Sequence, residues 1–179
     1  MVRPASQLSV EPVSFHAWLP TSEVSLVSTA PQRTQEAVSE PKKLSFIWPV
    51  AGKVAVEYSP DTLIFNKTMA DWRTHDGVDI AAQIGTKVFA AADGKVDAVY
   101  ADDMFGTTVV INHGSGIISV YSNLAATPTV KVGDAVTMGS VIGAVGDTAL
   151  AETGEVAHLH YAMKAENASV DPADYLPKK

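Results

Sequence analysis

Thr107-Thr108-Val109-Val110-Ile111 runs into Asn112-His113-Gly114-Ser115-Gly116 and returns as Ile117-Ile118-Ser119-Val120-Tyr121. Two β-branched runs around a glycine-bearing turn predict an antiparallel hairpin. Upstream, Val88-Phe89-Ala90-Ala91 meets an Asp93-Gly94 turn and comes back through Lys95-Val96-Asp97-Ala98-Val99-Tyr100. Downstream, glycines at positions 133, 139, 143 and 146 cut the chain into short apolar pieces, the punctuation of a small barrel or sandwich with tight corners. No long amphipathic helix is visible; the stretch from Ala168 to Leu176 has room for one turn. The predicted fold class is all-β, a compact antiparallel sandwich-like or barrel-like domain over residues 44–179.

Residues 1–43 read differently. Pro4, Pro12, Pro20, Pro31 and Pro41 are spread among Ser, Thr, Gln and Glu without sustained periodicity. Such a stretch is expected to be a mostly irregular linker or juxtamembrane-like segment. Phe15-His16-Ala17-Trp18-Leu19 is its apolar exception, expected to dock on the domain, with a short partner-binding motif as the alternative. His16 is read as neither ligand nor catalyst.

The chain has 179 residues and a net charge of -7, with 46% hydrophobic residues, enough for one domain with a real core. No basic cluster is longer than the Lys42-Lys43 pair, which argues against nucleic acid as a partner, because phosphate binding needs concentrated positive charge. With no cysteine, disulfides, thiolate metal sites and cysteine nucleophiles are excluded. No apolar run reaches the roughly 18 residues of a membrane-spanning helix, and no basic-then-apolar leader is visible.

Chemistry concentrates in two clusters, His75-Asp76-Gly77-Val78-Asp79 and His158-Leu159-His160, which hold three of the five histidines. Zinc takes about four tetrahedral ligands and accepts imidazole nitrogen and carboxylate oxygen. His158 and His160, at i and i+2 of a strand, point to one face. His75 and Asp79 would sit roughly 13 Å apart on a straight strand, so the chain is expected to bend between them, with Gly77 permitting it. His113 is expected to make local hydrogen bonds in a hairpin turn. Trp48 is expected in the core, and Trp72 either lines a groove or serves structure.

From about Phe46 to Leu176 the chain resembles the LytM-type, lysostaphin-like zinc metallopeptidases, peptidase family M23. The resemblance rests on the His75–Asp79 core with Ile80-Ala81-Ala82, on Gly85-Thr86-Lys87-Val88 and Ala91-Ala92-Asp93-Gly94-Lys95-Val96. It continues through Val110–Gly116, Val132-Gly133-Asp134-Ala135-Val136, Gly139-Ser140-Val141-Ile142-Gly143 and His158-Leu159-His160-Tyr161. It implies cleavage of peptide bonds in bacterial peptidoglycan, with Zn2+ on His75, Asp79 and His160 and with His158 beside it as a catalytic histidine. It also implies an extracytoplasmic protein, in the cell wall or a forespore intermembrane space, whose native anchor is not in this chain; a membrane would be met only through that anchor.

One departure stands against those matches. Active members carry a second catalytic histidine in a Tyr-x-His-Leu segment, and this chain reads Tyr121-Ser122-Asn123-Leu124. An amide hydrogen-bonds but does not exchange protons near neutral pH as imidazole does. A second departure precedes the first ligand, where Val56–Leu63 and Asn66-Lys67-Thr68 replace the usual Phe-Gly-x-Arg stretch. With Asp71-Trp72-Arg73-Thr74-His75 this resembles the stage II sporulation protein Q type, which implies a scaffold that docks a partner ectodomain of the stage III sporulation AH type. The expectation is thus a zinc-holding domain with weak or no hydrolysis, the alternative being an active endopeptidase that cuts peptidoglycan cross-link peptides.

Two rival classes fit less well. Val130–Val136 followed by Gly139–Gly143 also suits a lipoyl- or biotinyl-type carrier, with Lys164 in Ala162-Met163-Lys164, but a carrier lysine belongs at a hairpin tip rather than on the strand of His158. A cupin uses His-x-His too, yet its later Glu and His are missing after His160.

Overall fold

The computed structural model describes residues 44–178. The segment 1–43, with its Phe15–Leu19 patch, lies outside the described residues. Twelve strands follow in order: β1 (Lys53–Val56), β2 (Ser59–Asn66), β3 (Asp71–His75), β4 (Val78–Ala81), β5 (Lys87–Phe89) and β6 (Gly94–Asp102). They continue as β7 (Gly106–Gly114), β8 (Ile117–Leu124), β9 (Ala135–Val136), β10 (Val141–Ala144), β11 (His158–Ala165) and β12 (Ala168–Val170). The described residues contain no α-helix, only two 3-10 turns, Leu150–Glu152 and Pro172–Asp174. The second falls within the stretch where the sequence leaves room for one turn.

The hairpin that anchors the prediction is β7–β8, with Gly114 paired to Ile117 around Ser115 and Gly116. Both loop residues have positive φ, 50° and 74°, the backbone twist that suits a two-residue hairpin and that Gly116 adopts without strain. His113 belongs to the end of β7 rather than to the turn. Its Nδ1 lies 2.7 Å from the Asp93 carbonyl and its Nε2 2.7 Å from Ser119 Oγ, the local bonding expected of it.

The strands assemble into one antiparallel sheet in the order β1-β4-β11-β8-β7-β6-β9, with β12 added beside β11. Its buried side carries Ile80, Val109, Ile111, Tyr121, Leu159, Tyr161 and Met163, all without solvent exposure. β5 and β10 pair separately and close over this core with Val88 and Ile142. Burying such side chains contributes about 1.5–3 kcal/mol each, which is why the two-residue alternation of these strands dictates the register. Trp48 is half-buried against the core, and its Nε1 donates to the Pro177 carbonyl at 2.8 Å, tying the two ends of the described chain together.

Two consequences position the site. β11 lies between β4 and β8, and its register sets His160 opposite Asp79 on one side and Ser122 on the other. Meanwhile β2 and β3 form a separate two-stranded hairpin that pairs with no other strand among the described residues. It stands beside the sheet as a wall. Among the described residues no helix is long and apolar enough to cross a membrane.

Candidate metal centre

β3 ends at His75, the chain bends at Asp76 and Gly77, and β4 starts at Val78. The bend brings His75 Nε2 to 3.1 Å from Asp79 Oδ1. Gly77 is not among the residues of positive φ, so its part in the bend is spatial rather than conformational. A Cβ at Gly77 would lie 2.6 Å from the Tyr161 carbonyl oxygen and 3.0 Å from the His160 ring. Gly77→Ala is therefore expected to push that ring aside, to cost about 1–3 kcal/mol of stability and to weaken zinc binding. Thermal melting with and without zinc reads both, and an unchanged zinc affinity would contradict this steric account.

Cross-strand pairing supplies the third donor. His160 Nδ1 lies 2.8 Å from Asp79 Oδ1 and 3.2 Å from His75 Nε2. A tetrahedral ion with bonds of 2.0–2.2 Å needs donors about 3.3–3.6 Å apart, so this triangle accepts zinc after spreading by a few tenths of an ångström. The donors also suit it chemically, as two imidazoles and one carboxylate. His75 Nδ1 lies 2.9 Å from the Glu57 carbonyl, so it donates there and leaves the Nε2 lone pair for the metal. Bound zinc would polarise a carbonyl or acidify a water at this point.

Electrostatics couple the three groups. Burial opposes charge on His160, but the carboxylates of Asp76 and Asp79 outweigh it and push the ring up to about 10. Burial likewise opposes charge on Asp79, yet His160 and His75 hold its carboxyl well below the usual range. Zinc needs the neutral ring, so uptake near pH 7.5 is expected to release about one proton per ion. Calorimetric titration in buffers of different ionisation enthalpy measures this directly; no buffer dependence would contradict it. In the metal-free domain the raised His160 adds stability in full below its unfolded value near 6.5, and this fades as pH rises through about 10.

His158 stands beside the triangle, almost fully buried, with Nε2 3.8 Å from Asp79 Oδ1. Its Nδ1 lies 2.7 Å from the Val156 carbonyl and its Nε2 3.0 Å from Glu152 Oε2. Burial lowers its basicity, and Glu152 and Asp79 more than restore it, for a net upward shift. Glu152 is a site residue that sequence reasoning missed. It sits on a 3-10 turn, six positions before His158, and neither periodicity nor a familiar motif marks it.

Asn123 is buried at the end of β8 and has φ +60°, the left-handed region that asparagine tolerates. Its Nδ2 donates to the His158 carbonyl at 3.2 Å, and its Oδ1 accepts from the Ala149 N–H at 3.2 Å. Both ends of the amide are thus engaged with backbone. Lys164 lies within β11, flanked by Ile118 and Ser169, and is no hairpin tip.

A cavity of about 380 Å³ opens over His75 and Asp79, walled by Ile64 and Arg73 of the hairpin, by Phe105 and by Glu152. Trp72 is exposed and does not line it; it packs beside Phe65 with ring centroids 5.5 Å apart. A second cavity of about 280 Å³ adjoins His160 and runs along Tyr100, Val120 and Lys164.

Comparison with known proteins places these features in context. The model of "Peptidase family M23" matches residues 73–172. The DD-carboxypeptidase/endopeptidase Mpg of Neisseria meningitidis is 38% identical over 101 residues, 56% of this chain and 22% of that protein. The murein hydrolase activator NlpD of Escherichia coli is 30% identical over 135 residues, 74% of this chain and 31% of that protein. The chain thus spans about a third or less of these curated relatives' length. A peptidase M23 structure from Pseudomonas aeruginosa superposes with a TM-score of 0.62 at 32% identity, covering 76% of this chain and 52% of that one. The SpoIIQ-SpoIIIAH pore forming complex contains a chain of the same fold, with a TM-score of 0.66 at 21% identity, covering 76% of this chain and 94% of that one.

Proposed function

From the premise that this chain belongs to peptidase family M23, we propose that it is a metal-holding docking domain of the cell envelope with weak or no hydrolysis. His75, Asp79 and His160 hold zinc, and the groove above them receives a cell-wall peptide or an envelope protein. The observation that carries this reading is Asn123. The position of the second histidine holds an amide engaged by the His158 carbonyl and the Ala149 N–H. The carboxylate hydrogen-bonded to His158 Nε2 is that of Glu152, 3.0 Å away. A relative named as a murein hydrolase activator supports a role exerted through another protein. A sporulation partner of the stage III AH type belongs to the same class of occupant.

Co-sedimentation of the zinc-loaded domain with purified peptidoglycan tests the reading, beside capture by an envelope protein in its absence. Binding without cleavage, in either assay, is the expected result; cleavage would move the chain to the second reading. That second reading, an active zinc endopeptidase, draws on the preformed donor triangle and on the relative named as a DD-carboxypeptidase/endopeptidase.

A further inference from the structure

Among the described residues the β2–β3 hairpin has no strand partner outside itself, yet its tip is held. Asn66 Oδ1 accepts from the Met69 N–H at 2.8 Å and shapes the turn, while Asn66 Nδ2 donates to the Ala151 carbonyl at 3.3 Å. The Lys67 N–H donates to Glu155 Oε1 at 3.3 Å, and Lys67 Nζ lies 3.6 Å from Glu155 Oε2. From the other side, the Gly154 N–H donates to Thr68 Oγ1 at 2.9 Å. Apart from the Asn66–Met69 bond inside the turn, these contacts join residues 66–68 to residues 151–155. The same two segments supply walls of the cavity above His75 and Asp79, through Ile64, Asn66 and Lys67 on one side and Ala151, Glu152 and Glu155 on the other. The hairpin and the 3-10 loop are therefore tied together beside the metal centre.

We propose that these contacts form a clasp that sets the size of ligand admitted to the metal centre. With the clasp shut, the centre accepts a ligand that fits a cavity of about 380 Å³, such as a short extended peptide. A bulky cross-linked polymer reaches it only with the clasp open. The clasp is built to open without unfolding the domain, because surface ion pairs and exposed hydrogen bonds contribute little and the core strands lie elsewhere. Opening also bears on His158, since the loop that carries the clasp carries Glu152. The proposal rests on the metal-centre reading above and extends it to what that centre can receive.

The absence of native cysteine permits a clean test. A Cβ at Gly154 would lie 3.5 Å from Thr68 Cα, and Gly154 has no positive φ, so Thr68→Cys with Gly154→Cys suits a disulfide. The double variant and the unmodified chain are loaded with Co2+, and binding of acetohydroxamate is compared with that of the same hydroxamate grafted on dextran. The oxidised variant is expected to bind the dextran probe at least tenfold more weakly than its reduced form, with free acetohydroxamate unchanged within twofold. Equal dextran binding overturns the clasp, and equal loss of both probes overturns it as a size filter. Glu155→Ala, which removes both Lys67 contacts, covers the case of a misfolded double variant: it should tighten dextran binding severalfold, and no change overturns the proposal. Failure of the unmodified chain to hold cobalt would sink the metal reading and, with it, the premise of the clasp.

Discussion

Replacing Asp79 by alanine is expected to strip the domain of zinc. Asp79 touches both other donors, at 3.1 Å from His75 Nε2 and 2.8 Å from His160 Nδ1, so its loss opens the triangle and removes the carboxylate that the two imidazoles share. Loss of an outer-shell partner alone costs about 10–100-fold in metal affinity, and a direct ligand should exceed that range. Zinc at a hundred times its dissociation constant adds about 2.7 kcal/mol to the folded state. Removing that contribution from a domain of this size lowers the midpoint by about 10 °C. The zinc-dependent part of the melting temperature should therefore vanish in Asp79→Ala and in His160→Ala. Unchanged metal content in both variants would refute the ligand assignment.

Asn123→His is expected to have the second largest effect, with opposite signs for stability and chemistry. The left-handed backbone at 123 tolerates histidine, but the ring cannot reproduce both bonds of the amide, to the His158 carbonyl and from the Ala149 N–H. Leaving one such buried group unpaired costs about 1–3 kcal/mol. In return the site regains a second group able to exchange protons near neutral pH. General acid–base catalysis contributes about 10²–10⁴-fold, so release of peptide products from peptidoglycan should rise by up to that factor. A folded, zinc-loaded variant with no gain would locate the defect elsewhere, and the His158–Glu152 contact would be the next place to look.

What sequence alone made legible here follows physical range. The β7–β8 hairpin is local: β-branched runs and a glycine turn specify both strands and the loop within fifteen residues. The gathering of His75, Asp79, His158 and His160 is an expectation from their residue types, their two short clusters and the family resemblance, and the pairing of β4 with β11 brings these side chains together. The spatial duty of Gly77 was hidden, because it comes from Tyr161 and His160, which lie more than eighty positions away and meet it only once β11 pairs with β4. Glu152 was hidden for a similar reason, placed by a short 3-10 turn whose position depends on contacts to Met104 and Asp103 rather than on its own pattern. The β2–β3 hairpin escaped detection because Ser59-Pro60-Asp61-Thr62 opens it with turn-forming residues and because most of it is exposed, so no apolar alternation marks it. Asn123 was recognised as a departure, but its structural engagement on both sides of the amide could be read only from the fold.

The measurement that bears most directly on the central claim is the release of new amino termini from purified peptidoglycan by the zinc-loaded domain, with Asp79→Ala as the blank. A protein that holds stoichiometric zinc and releases little or nothing above the blank is the predicted result, the behaviour of a docking domain that keeps its metal but lacks the second proton-exchanging histidine. Sustained release far above the blank, with many turnovers per zinc, would contradict it, and would show that His158 with Glu152 suffices for hydrolysis in this chain.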